Sequence, residues 1–223
     1  MATPTPRHPR IARIHATPLS IEPIRDAFAR LWPEADCFDL LDDSLPRDRT
    51  GAGEPTLGAR FVALSRYAQL AGAHGILYTC SAFGPEIEAA RAAVPLPTLK
   101  PNEAMFDEAL RHGSTIGLLA TFEPSLAPMT ADLLALAASR RLHVQVRAHL
   151  AEGAFEALAR GDEQEHDSRV IAAARRIDGI DVLLLAQFSM ARARAAVAQA
   201  IEVPVLASPD SAVVALRAAV AAA

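Results

Sequence analysis

Cysteine is nearly absent from this chain: its 223 residues hold only Cys37 and Cys80. Two distant thiols cannot make a disulfide framework, and with no secretory signal they point to a reducing, cytoplasmic setting. Aromatic residues are also scarce, at 5%. No apolar run approaches the ~20 residues that span a bilayer, so a membrane partner is not expected. The formal net charge of −4 argues against a general nucleic-acid binder. The basic pairs Arg140-Arg141 and Arg175-Arg176 are isolated and read as solvated helix ends or faces. Neither G-x-G-x-x-G nor G-x-x-x-x-G-K-[ST] occurs, which leaves nucleotide binding without a motif. No Cys/His spacing suits zinc, and no G-x-S-x-G elbow marks an esterase.

What the chain does hold is 51% hydrophobic residues, many of them alanine and leucine. That is ample for one large domain or two small lobes with real cores. Residues Met1 to Arg10 are rich in proline and basic residues, lack an apolar leader core and read as a frayed tail. Beyond them, short apolar runs alternate with helical spacing. Arg10 to His15, Asp36 to Leu41, Gly75 to Thr79, Thr115 to Ala120, Leu142 to Arg147, Val182 to Ala186 and Val203 to Leu206 read as strands. Ser20 to Leu31, Gly58 to Gly72, Pro85 to Ala93, Asn102 to Arg111, Pro124 to Ser139, Asp167 to Arg176, Met190 to Ala200 and Ser211 to Val220 read as helices. Asp42 to Leu57, with Pro46, Gly51, Gly53 and Pro55, reads as a polar loop.

This alternation predicts an α/β fold with parallel sheets covered on both faces. The chain also resembles itself. His15-Ala16-Thr17-Pro18 returns loosely around Ala120-Thr121, an offset of 104 at the shared Ala-Thr pair. Ile76-Leu77-Tyr78-Thr79-Cys80 returns as Leu183-Leu184-Leu185-Ala186-Gln187, which sets Cys80 against Gln187 at an offset of 107. Two similar lobes follow: residues 1–99, with the helix of 207–223 returning to them, and residues 100–206. A cleft between the lobes is the expected site. Ligands in such folds bind beyond the carboxyl ends of the strands, where Thr17, Cys80, Thr121 and Gln187 fall. Chance likeness between two strand-to-helix turns is the alternative.

Cys80 follows an apolar strand and precedes a helix starting near Pro85. A helix N-terminus lowers a thiol's pKa from about 8.5 toward neutrality, and the backbone N–H groups there can bind a carboxylate. Thr79 and Ser81 flank the thiol with hydroxyls. An inert cysteine at a strand end is the alternative, and Cys37, inside a strand pattern, reads as structural.

Thr79-Cys80-Ser81 after a buried strand, the Ala120-Thr121 turn, the duplicated layout and the run Leu185-Ala186-Gln187-Phe188-Ser189-Met190 resemble the aspartate/glutamate/hydantoin racemase superfamily, which includes maleate isomerases and arylmalonate decarboxylases. The resemblance covers nearly the whole chain. It implies two Rossmann-like lobes, a cleft and no cofactor. It also implies one cysteine per lobe, acting on opposite faces of the substrate's α-carbon. Cys80 matches the first cysteine. Gln187 stands at the second and cannot exchange a proton usefully, and the nearby Ser189 is a poor acid or base without an activating partner. The family's decarboxylases use one cysteine, at the position of Gln187.

The expected substrate is therefore a small carboxylate. Cys80 is the candidate proton donor or acceptor. Thr17, Thr79, Ser81, Ala82, Thr121, Phe122, Gln187 and Phe188 are candidate substrate-binding residues, with hydroxyls and backbone amides placed to stabilise an enediolate. Turn and cap chemistry for the threonines, and core packing for Phe83, Phe122 and Phe188, are the alternatives. His166, in an acidic loop entering a helix, is a candidate second acid or base, or else a solvated helix-start residue. His15 is a lesser candidate; His143 and His149 read as structural. Glu22 and Glu123 read as helix-start acids. The functions consistent with this pattern are an isomerase or racemase, a cofactor-free decarboxylase of a malonate-type acid, a non-catalytic carboxylate binder, and a hydrolase using Cys80 with His166. Alanine-rich helix faces would suit a homodimer.

Overall fold

A computed structural model describes residues 8–49 and 55–223. The proline-rich start before residue 8, Gly51 and Gly53 lie outside the described residues. The chain divides into two compact units, Met1–Pro101 with Pro209–Ala223, and Asn102–Ser208.

The first unit runs β1 (Arg10–His15), α1 (Ile21–Leu31), β2 (Asp36–Leu41), α2 (Leu45–Asp48), α3 (Pro55–Leu70), β3 (Gly75–Tyr78), α4 (Gly84–Ala93) and β4 (Thr98–Leu99). The second runs α5 (Glu103–His112), β5 (Thr115–Ala120), α6 (Leu126–Ser139), β6 (Gln145–Leu150), α7 (Ala154–Ala159), α8 (Glu163–Ala174), β7 (Val182–Leu185), α9 (Arg194–Ala200) and β8 (Val205–Ala207). The last helix, α10 (Ser208–Ala221), belongs almost wholly to the first unit. Each unit holds one four-stranded parallel sheet, in the orders β2-β1-β3-β4 and β6-β5-β7-β8.

The second sheet shows why the apolar runs fold as they do. Side chains alternate across a strand, so Ile116, Leu118, Val182 and Leu184 join one core with Met105, Phe106, Met129 and Leu133 of α5 and α6. Leu119, Leu183 and Leu185 join the opposite core with Val170, Ala173 and Val197 of α8 and α9. Both faces are covered, so β5 and β7 read as continuous hydrophobic runs. In the first unit, α3 buries Leu57, Phe61, Ser65 and Ala68 at helical spacing. α10 lies over Gly75, where an added Cβ would come within 2.7 Å of Val220 Cγ2. Arg30 fastens α1 to α10 through Asp210 at 2.7 and 3.0 Å.

Several boundaries depart from the sequence pattern. α3 starts at Pro55 and α2 is a further turn, both inside the stretch read as loop. β4 follows the Pro95-Leu96-Pro97 break and is only two residues long. β6 begins three residues later than expected, because this edge strand is half exposed and carries no apolar alternation. α7 is short and alanine-rich; it ends on Gly161 at φ +81°, a conformation that glycine adopts without strain. α8 begins at Glu163 because Asp162 caps it, accepting from Glu165 N at 3.0 Å, and acids are favoured in a first turn.

Asp181 closes the turn before β5, accepting from Ser114 N and Thr115 N at 2.8 Å each. A methyl group at Gly113 would overlap that carboxyl side chain. Gly113→Ala is expected to cost about 1–3 kcal/mol by overpacking, measured by urea unfolding.

Candidate functional site

The sheet registers fix which residues of the two units are equivalent. Ile11 pairs with Gly75 as Ile116 pairs with Val182. The first strands therefore correspond at an offset of 105 and the third strands at 107. Cys80 and Gln187 are equivalent, each two residues beyond its strand. The Ala-Thr match is corrected by one residue: Thr17 corresponds to Phe122, and Ala16 to Thr121. Short 3₁₀ turns at Pro18–Ser20 and Glu123–Ser125 confirm the new register. In each the final serine donates back to the turn's start, Ser20 Oγ to Thr17 O at 3.0 Å and Ser125 Oγ to Phe122 O at 2.7 Å.

In the first unit, Cys80 is partly exposed in the loop between β3 and α4. Burial pushes its thiol up to about 11, against weaker pulls downward from the Ala82 N–H, which donates to the sulfur, and from the positive charge of Arg49. The expected lowering at the helix start is thus reversed: desolvation outweighs the Ala82 donor and the Arg49 charge. Arg49 Cζ lies 5.7 Å from the centre of the Phe83 ring, and no pattern in the sequence pointed to it. Ser81 is half-buried and Ala82 buried. Thr17 is half-buried, its Oγ1 accepting from Leu19 N at 3.4 Å as a turn cap. Phe83 is core, packed on Phe61 at 5.1 Å.

Behind this loop lies a buried polar cluster that the sequence reading missed. His15 is 1% exposed. Its Nδ1 is 2.8 Å from Thr79 Oγ1 and 3.2 Å from Ser20 Oγ, and its Nε2 is 3.0 Å from Asp39 Oδ1. Ser20 Oγ and Thr79 Oγ1 are 2.8 Å apart. Asp39 also accepts from Arg13 at 2.8 and 3.1 Å and from Arg25 at 2.6 and 3.1 Å. Burial alone would raise the Asp39 carboxyl, but the donors from His15, Arg25 and Arg13 outweigh it and hold it below its ordinary value. Burial lowers His15 below 6.5, opposed by Asp39.

In the second unit, Gln187 ties the equivalent loops together. Its Oε1 accepts from Thr121 N at 2.9 Å and Thr121 Oγ1 at 3.3 Å, and its Nε2 donates to Ser125 Oγ at 2.5 Å. Phe188 is core, 2% exposed. Half-buried Phe122 packs on Phe155 at 5.3 Å. Gln187→Ala strands the buried Thr121 amide and is expected to cost about 1–3 kcal/mol, read as a shift in the denaturant midpoint.

His166 is not a solvated helix start. It is fully buried, with Nδ1 held by Asp167 Oδ1 at 2.7 Å and Nε2 without a partner among the described residues. Arg192 joins Asp167 at 3.1 Å and Glu163 at 2.7 Å. Among the described residues no hydrogen bond links His166 to Thr121 or Gln187. His143 and His149 are exposed.

The geometry thus gives one thiol beside a backbone donor in one unit, and at the equivalent position of the other unit an amide engaged in bracing. Among the described residues no helix is long and apolar enough to cross a membrane. The model of the Asp/Glu/Hydantoin racemase family matches residues 26–216. No curated protein matches the chain by sequence. Among solved structures, allantoin racemase from Klebsiella pneumoniae is similar with a TM-score of 0.69 at 20% identity, over 96% of this chain and 88% of that one. Glutamate racemase from Francisella tularensis subsp. tularensis, solved with D-glutamate, gives 0.72 at 15% identity, over 95% and 80%. A glycine-to-cysteine mutant of arylmalonate decarboxylase in its sulfate-associated form gives 0.62 at 22% identity, over 95% and 93%. These likenesses establish the fold.

Proposed function

Since the chain belongs to the Asp/Glu/hydantoin racemase family, we propose that it is an isomerase-type enzyme that moves a proton at the carbon next to a carboxylate, with Cys80 as its single thiol acid/base. The observation that carries this reading is the asymmetry of two equivalent loops: one presents a partly exposed thiol, the other a glutamine bound on three sides. Proton transfer from one face follows. The substrate carboxylate is held by the Thr17 and Ser81 hydroxyls and by backbone N–H groups of the loop that carries Cys80. The D-glutamate in the Francisella racemase supports a small carboxylate as the class of ligand. No cofactor is required for this chemistry.

A second reading, decarboxylation of a malonate-type acid, is favoured by one specific observation. A thiol at about 11 is protonated at neutral pH, and an enediolate formed by loss of CO₂ needs a donor, not a base.

The test is proton exchange in D₂O, followed by NMR, over amino acids, hydantoins and substituted malonates. Deuterium uptake at the α-carbon is expected for the isomerase reading, and CO₂ loss with uptake for the decarboxylase. Ligand binding without either would make the protein a non-catalytic carboxylate binder.

A further inference from the structure

The two units solve one construction problem in different ways. Each must fasten the turn after its first strand to the loop after its third. In the second unit the Gln187 side chain does this, reaching Thr121 on one side and Ser125 on the other. The residues there equivalent to His15 and Thr79 are Ala120 and Ala186, which carry no polar side chain. In the first unit position 80 is a thiol, too short and too weak a donor to span the gap. There the fastening falls to His15 and Thr79, which close on Ser20, the equivalent of Ser125.

We infer that His15 is the positioning residue of the Cys80 loop: held by Asp39, it braces Thr79 and Ser20 and so frees position 80 for a reactive group. This rests on the reading of Cys80 given above. His15 does not itself meet a ligand, for it and the two hydroxyls are buried at 1%, 4% and 3% exposure. The arrangement of Asp, His and hydroxyl is therefore not a nucleophile relay.

The hydrogens of the brace can be assigned by elimination. Asp39 is ionised and can only accept, so His15 Nε2 carries a proton. In neutral His15, Nδ1 must then accept, which it does from the nearer hydroxyl, Thr79 at 2.8 Å, while Ser20 shares its one hydrogen between Thr79 Oγ1 at 2.8 Å and Thr17 O at 3.0 Å. In the imidazolium form Nδ1 donates to Thr79, Thr79 donates to Ser20, and Ser20 returns to Thr17 O at 3.0 Å. Protonating His15 thus reverses the chain and changes the hold on Thr17, on one side of the site, and on Thr79, the neighbour of Cys80, on the other. The charged groups around the ring are Asp39 on β2, Arg13 on β1 and Arg25 on α1. From β3 the Tyr78 hydroxyl turns elsewhere, to Ser65 and Phe61 O.

The test needs no substrate. In a Cys37→Ser background, the attack of Cys80 on dithiodipyridine is followed from acid to neutral pH and divided by the rate of a free thiol. A single step with its midpoint below 6.5 is expected. His15→Gln, whose amide can accept from Thr79 and donate to Asp39 without titrating, is expected to remove the step and keep the neutral-pH rate. A wild-type profile with no step, or a step that survives in His15→Gln, overturns the inference. Where a substrate is in hand, His15→Ala is expected to lower kcat about 10²-fold through misplacement of the loop, with His15→Gln restoring most of it. Equal losses in both variants would also overturn it. Absence of turnover with every substrate would count against the proposed activity, while the thiol profile would still decide the role of His15.

Discussion

Cys80→Ala is expected to lower turnover about 10²–10⁴-fold, the usual worth of a positioned acid or base, while leaving the protein folded. The thiol is partly exposed and takes a hydrogen bond from the Ala82 N–H, so its removal should change stability by less than about 1 kcal/mol. Cys80→Ser should fare little better, because an unactivated hydroxyl is a far weaker acid. The pH dependence distinguishes the two chemistries. A thiol at about 11 that acts as a donor gives a rate that is flat through neutrality and falls as pH approaches 11. One that must first be a thiolate gives a rate that rises tenfold per pH unit over the same range. Initial rates of deuterium uptake and CO₂ release across pH, with melting of the variant as control, provide the measurement. Full activity in Cys80→Ala would remove the thiol from the mechanism.

The expectation for Cys80 shows how far sequence reaches. Its place after a buried strand was legible, since four buried residues in a row and a following Pro85 leave little choice. Its acidity was not, because desolvation depends on how the folded chain packs around the thiol rather than on the adjacent helix alone. The duplication was legible too, but a shared Ala-Thr pair misled the alignment by one residue. The correct guide was the serine that ends each 3₁₀ turn, Ser20 and Ser125, which neither apolar periodicity nor a motif marks.

The buried cluster of the first unit was missed for a different reason. Its signal was present: Arg13 interrupts the apolar run of β1, Asp39 that of β2, and the two face each other in register. Read singly, each looks like a solvated residue of a half-exposed strand. Only pairing the strands turns two stray charges into a partnership and brings His15 to Asp39. The acidic stretch before His166 failed in the same manner. It read as a loop, yet Asp162 caps a helix there that turns His166 wholly inward. Polar residues near strand and helix ends are where pattern is least informative, because caps, turns and sites use the same side chains.

Asp39→Ala is expected to destabilise the first unit by about 3–5 kcal/mol, the cost of leaving a buried charge unpaired. Arg13 is 6% exposed and spends two bonds on Asp39, at 2.8 and 3.1 Å. His15 would lose the acceptor that sets its tautomer. Arg25, whose side chain is 59% exposed, can return to water, so Arg25→Ala should cost no more than about 1 kcal/mol. The pair of variants thus separates buried from surface charge on one carboxylate. Acid should reproduce the damage in two stages. His15 is lowered in the folded protein, so its share of stability is present above 6.5 and is lost as pH falls toward its folded value. Asp39 is also lowered, so its share is complete above 3.8 and disappears only as pH falls through its lower folded value. Urea unfolding of the wild type should weaken first below 6.5 and again below about 4. His15→Gln should abolish the first stage and Asp39→Asn the second. If Asp39→Ala costs no more than Arg25→Ala, the cluster is a surface ion pair in energetic terms, and a brace built on His15 would have no firm anchor.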